Sequence, residues 1–282
     1  MTKRLCRQIG FGKPLLFWGF SLAFGLSRRT SMCSALSSHI LSLLYNQYYF
    51  IFAILPILLF FCGSVMEDDP IIFVLRYGSY KHYFTSKWRS LGVLCSGLWL
   101  GQITILFVTG AGLSVIKQGW DNFSGSSLLK EIAPLLVKSF PGAWVAVFCA
   151  AVYMLMGYWL IALLTLWLGH FLQRQKAIKV LLALYILTIL SIKLPIMSRP
   201  PFCYLTGINH WVLLLHNLTA GWRFPLTVIV TLLFVVTVIC SIQGGWRSAA
   251  HHHRISKGLP AYYRHILFSA SNFLVLAILL AL

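Results

Sequence analysis

The sequence predicts an all-α fold: a polytopic membrane helical bundle with six spans and a seventh apolar segment at the C-terminus. Three observations carry this reading. Only 10% of the 282 residues are charged, 59% are hydrophobic and the mean hydropathy is +0.82, whereas a soluble domain carries about 25% charged residues. Residues 90–116 and 139–173 contain no Asp, Glu, Lys or Arg, and a bilayer-spanning helix needs about 20 mostly apolar residues. The basic residues fall in small groups between apolar runs, as topology signals do.

Taken in order, the first span covers about Pro14 to Ser27, bounded by Lys13 and Arg28, whose long stems can snorkel. The second runs from about Gln47 to Met66 and contains Pro56, which marks a kink. The third covers about Leu91 to Ile116 and the fourth about Pro141 to Gly169. The fifth, about Val180 to Met197, carries Lys193 near its end, and the sixth is about Phe224 to Gln243. The closing run, His265 to Leu282, is near the minimum length to span. A seventh crossing would put the C-terminus outside. With no internal repeat and no low-complexity linker, residues 1–282 read as a single transmembrane domain.

Counting Lys and Arg orients the chain. A cytoplasmic N-terminus puts fifteen of the 23 on inside segments and eight outside, so residues 67–90 are cytoplasmic. The outer loops are then 117–140, with a short helix from about Ser127 to Ser139, and 198–223, whose apolar stretch Trp211 to Leu215 is too short to span. The N-terminus resembles a signal peptide in its basic start and apolar middle, but no small-x-small cleavage site follows, and a retained first helix is expected.

Several function classes are disfavoured. The net charge of +18 is scattered between apolar runs rather than gathered in a stripe, so no nucleic-acid partner is expected. The seven cysteines form no CxxC pair, and most lie in apolar runs, where Cys behaves as a small hydrophobe. His251, His252 and His253 are adjacent, which points them around a helix axis, and Arg247 and Arg254 repel a cation; no metal site is expected. There is no HExxH or GxSxG pattern. Lys193 is the sole charge inside a span, so a proton path is disfavoured. The small residues Gly97, Gly101, Gly110, Gly112, Ala150, Ala151 and Gly157 permit close helix packing, with Gly97-x-x-x-Gly101 a weak candidate for a helix–helix face.

The stretch "MEDDPIIFVLRYGSYKHYFTSKWRS" (66–90) is the densest in charge. Glu67, Asp68 and Asp69 are three of the chain's five acidic residues. Read as a helix, Phe73, Tyr77, Tyr80, Phe84 and Trp88 form an aromatic stripe, because their spacings are all three or four. Such a stripe suits a helix lying at the headgroup level. Gly78-Ser79 is a natural break, with Ser79 able to cap a second helix running into the third span. One reading makes 67–90 a solvated loop; the sharper one makes it a docking element.

These residues resemble the cytoplasmic segment between the second and third spans of type-2 ABC exporter permeases, particularly the membrane subunits associated with bacteriocin or antimicrobial-peptide export and immunity. Arg76, Tyr77, Gly78, Ser79 and Lys81 match that family's pattern, Trp88 is its downstream aromatic, and "YYFIFAILPILLFF" (48–61) is similar to its second span. Tyr80 departs from it, standing where another basic residue is common. The resemblance implies an ATPase-coupling interface of Glu67, Asp68, Asp69, Arg76, Tyr77, Gly78, Ser79, Tyr80, Lys81 and His82. It also implies a separate ABC ATPase in two copies, a second permease subunit (identical or sister), a peptide or lipid-like substrate and a bacterial cytoplasmic membrane. The chain has no GxxxxGK[ST] loop, and Gly10-Phe11-Gly12-Lys13 is too short to be one. ATP and Mg would therefore sit on the partner, with no cofactor and no catalysis in this chain. Two other classes remain open: a membrane-integral enzyme or maturation factor using His210 or His216, and a non-catalytic immunity protein.

Overall fold

A computed structural model describes residues 2–29, 35–66, 77, 80–115, 134, 136–172 and 174–193. Among the described residues the chain is helical, without strands; one isolated bridge joins Ala35 to Ser114. The sixth and seventh apolar runs, and the sequence-predicted loop 198–223, lie outside the described residues.

Helices α1 (Thr2–Ile9) and α2 (Gly12–Arg28) meet at a bend of 70°. Gly10 takes the left-handed conformation (φ 72°) and donates its N–H to the Cys6 carbonyl at 3.1 Å, the arrangement that closes a helix C-terminus. Lys13 Nζ donates to the freed Ile9 carbonyl at 2.6 Å, which fixes the corner. The first span therefore starts at Gly12, with Pro14 in the first turn, where no intrahelical N–H is needed.

Helix α3 (Leu36–Leu44) is buried around its circumference except at Ser42. Asn46 then caps the next helix, its Oδ1 accepting the Tyr49 N–H at 2.9 Å. This helix, α4, comprises Gln47–Tyr49, a π-helical stretch Phe50–Ile54 and Leu55–Gly63. The kink expected at Pro56 takes the form of that wider turn. Proline lacks an N–H and its ring collides with the carbonyl four residues back; bonding of the Leu55 N–H to the Phe50 carbonyl opens the spiral there.

Helix α5 (Tyr80–Thr109) is continuous over 30 residues. It begins eleven residues before the predicted start, just after Gly78-Ser79, and stops before the predicted end, Ile116. The stop comes from the turn at Gly110–Gly112, where Gly112 is left-handed (φ 90°). Helix α6 (Ala143–Phe171) matches the predicted fourth span, and α7 (Arg174–Lys193) begins six residues before the predicted fifth, because Ala177 is buried while Arg174, Lys176 and Lys179 stay exposed.

Helix α5 is the central element, packed against α2 and α6, while α3 and α4 also lie on α6. Side-chain pairings give the directions. Trp18 meets Leu98 and Gly25 meets Thr109, so α2 and α5 are parallel. Trp88 meets Trp159, Trp99 meets Ala151 and Phe107 stacks on Trp144, so α5 and α6 are antiparallel. Cys62 meets Cys95 and Tyr49 meets Gln102, so α4 opposes α5.

Tryptophans and glycines set the spacing. At Gly101 an added Cβ would collide with the Trp18 indole, and the space lets Trp18 Nε1 donate to the Leu98 carbonyl at 3.2 Å. At Gly92 a Cβ would stand 2.8 Å from the Trp159 ring. Within this chain Gly97 has nothing within 4 Å of its absent Cβ, so on α5 the glycines that receive intrachain neighbours are Gly92 and Gly101.

Candidate functional site

Two regions gather polar chemistry. The first lies where the α4 C-terminus, the start of α5 and the end of α6 come together: Met66 packs on Gly169, and the Phe84 ring lies 6.4 Å from His170. Lys13, over the Phe60 ring at 4.9 Å, brings the start of α2 to the same end. Here Lys81 and His82 stand exposed on the first turn of α5, and Tyr80 begins that helix. Tyr77 is half-buried, edge-on to Tyr83 at 5.5 Å. Glu67, Asp68, Asp69, Phe73, Arg76, Gly78 and Ser79 lie outside the described residues, as do Asp121, Glu131, His210, His216 and His251 to His253.

Among the described residues, two members of the aromatic stripe pack against α6. Phe84 is buried against His170, and Trp88 is half-buried, its Nε1 donating to the Trp159 carbonyl at 3.2 Å with the two rings edge-to-face. Both residues are therefore held by α6 within the bundle. The physical reason is helix continuity: once α5 runs unbroken from Tyr80, its Phe84–Trp88 side follows the face that packs on α6. Lys87, one turn before Leu91, is buried beside the Tyr83 ring (5.9 Å), while Arg89 projects outward.

The second region is a hydrogen-bonded chain through four helices. Tyr158 of α6 donates to Gln102 Oε1 of α5 at 2.5 Å. Gln102 Nε2 donates to the Tyr49 hydroxyl of α4 at 3.1 Å, and Tyr49 donates to Ser21 Oγ of α2 at 2.7 Å. Ser21 closes the chain on the Phe17 carbonyl at 2.9 Å. All four side chains are buried, and every donor points the same way along the chain. Phe24 stacks on Tyr49 at 4.3 Å and Phe17 meets Tyr158 edge-on at 6.1 Å, which walls the node with aromatic rings. In an apolar setting a lost partner cannot be replaced by water, so these groups hold one another. The sequence reading missed this site. Its available signal was Gln102, the lone amide in the charge-free run 90–116.

At the other end, Arg29 donates to the Ala111 carbonyl at 2.5 Å and His39 Nε2 pairs with Thr109 Oγ1 at 3.2 Å, tying α2, α3 and the α5 terminus together. Among the described residues no group of three or more His, Cys, Asp or Glu could hold a metal ion.

Fold and site together define a helical membrane protein. Lys81–Thr109 and Ala143–His170 are each long and apolar enough to cross a bilayer; the pair Thr2–Ile9 and Gly12–Arg28 passes the same test only when its two helices, bent by 70°, are counted together. Compared with family models, curated proteins and solved structures, the chain matches none.

Proposed function

We propose that the chain is the membrane subunit of an ABC exporter in a bacterial cytoplasmic membrane, with six spans and a cytoplasmic N-terminus. It pairs with a second permease subunit, identical or sister, and with two copies of a separate ATPase that binds ATP and Mg. The substrate is an amphipathic peptide or a lipid-like molecule. The ATPase meets the segment 67–90 through Arg76, Lys81, His82 and their neighbours.

The observation that carries this reading is the continuity of α5. Lys81 and His82 sit exposed on the first turn of the helix that carries Gln102, about 30 Å away along one unbroken axis. A push on that turn moves α5 as a rod and is felt at the node joining α2, α4 and α6. The arrangement of charge supports the orientation: Lys3, Arg7, Lys81, Arg174, Lys176 and Lys179 are exposed on the end formed by the starts of α2, α5 and α7.

The test is reconstitution with a candidate ABC-type ATPase from the same genome. Reversing Arg76 and Lys81 to Glu is expected to abolish stimulated ATP hydrolysis or dissociate the complex. Full transport by the double variant contradicts the coupling assignment.

A further inference from the structure

We infer that α1 is a seat for anionic lipid headgroups, held off the axis of the first span by a built corner. This goes beyond the transport reading and does not depend on it.

The corner is the first observation. The 70° bend is locked by the left-handed Gly10, its bond to the Cys6 carbonyl, and Lys13 Nζ on the Ile9 carbonyl. Helix α1 is thus prevented from continuing the span and is laid across the end of the bundle. Its sidedness is the second. Leu5 and Ile9, one turn apart, are buried, and α1 packs on α5. Lys3 and Arg7, also one turn apart, are exposed on the other side. Immediately after the corner, Phe11 is 72% exposed, followed by the exposed Leu15 and Leu16 of α2. Basic heads stand beside an outward apolar rim, the order in which a bilayer presents headgroup and acyl chain.

Charge complementarity selects the occupant. Arg174, Lys176 and Lys179 add exposed positive charge to that of Lys3 and Arg7 at the same end. A phosphate-bearing anionic lipid such as phosphatidylglycerol answers both the charge and the adjacent apolar rim. A soluble acidic protein would answer only the charge. Each basic side chain near an anionic surface strengthens association by about fivefold.

The experiment uses the full chain in mild detergent, titrated with phosphatidylglycerol or phosphatidylcholine while thermal unfolding is followed. Phosphatidylglycerol is expected to raise Tm well beyond phosphatidylcholine. Lys3→Gln with Arg7→Gln is expected to remove about half or more of that difference, while Lys138→Gln, exposed near the start of α6 at the other end, leaves it intact. High salt on the unmutated chain is expected to erase the same difference; should the double variant fail to fold in phosphatidylcholine, the salt titration decides alone. Equal Tm gains from the two lipids, a gain insensitive to salt, or a full gain in a folded double variant each overturns the inference.

Discussion

Gln102 accepts a 2.5 Å hydrogen bond from Tyr158 and donates a 3.1 Å bond to Tyr49, so a single side-chain amide joins three helices, and Tyr49 extends the link to Ser21 on a fourth. Interhelical bonds of this kind in membrane proteins contribute modestly, about 0.6–2 kcal/mol each.

Gln102→Leu keeps the volume and removes both partners, leaving Tyr158 without its acceptor. A stability loss of about 1–3 kcal/mol is expected, measured by denaturant unfolding in mixed micelles. Combined with Tyr158→Phe, the losses should be less than additive, since both break the same bond.

Gly101→Ala and Gly97→Ala separate the two glycines. At Gly101 the new methyl meets the Trp18 indole, and a loss of about 1–3 kcal/mol is expected. At Gly97 nothing stands nearby, so relief of backbone entropy in the helix should leave stability unchanged or raise it by up to about 1 kcal/mol. Thermal unfolding of the two variants side by side checks both signs.

These glycines also show what the sequence could convey. Apolar length alone located α4, α6 and most of α2 and α5, because the charge-free runs leave few other places for spans. Helix ends were harder. The reading began the third span at Leu91, although Lys81, Lys87 and Arg89 are all compatible with a helix that extends past its apolar part. The Gly97–Gly101 spacing suggested a face, but which glycine receives a neighbour depends on Trp18, eighty residues away from Leu98. The polar node is non-local in the same way: its bonds join residues 28, 53 and 56 positions apart. Tyr49 and Tyr158 look like ordinary aromatics until the fold brings them to Gln102.

The antiparallel contact of α4 and α5 gives a further expectation. Cys62 and Cys95 are both buried, with Sγ atoms 4.0 Å apart. In a chain retaining only these two cysteines, a membrane-permeant oxidant should form an intramolecular disulfide, seen as a mobility shift reversed by reductant. Efficient cross-linking of Cys62 to Cys149 but not Cys95, in the corresponding pair variants, would place α4 on the wrong neighbour.

The central claim is that this membrane bundle is driven by a separate ATPase at the Lys81 end of α5. Its most direct test is purification of the tagged full chain from the membranes of its native host in mild detergent, with ATP hydrolysis assayed on the eluate. The expected result is a stoichiometric ABC-type ATPase that hydrolyses ATP and is lost when Arg76 and Lys81 are both changed to Glu. Isolation of the intact chain with no ATPase, under conditions that retain other membrane complexes, would contradict the account.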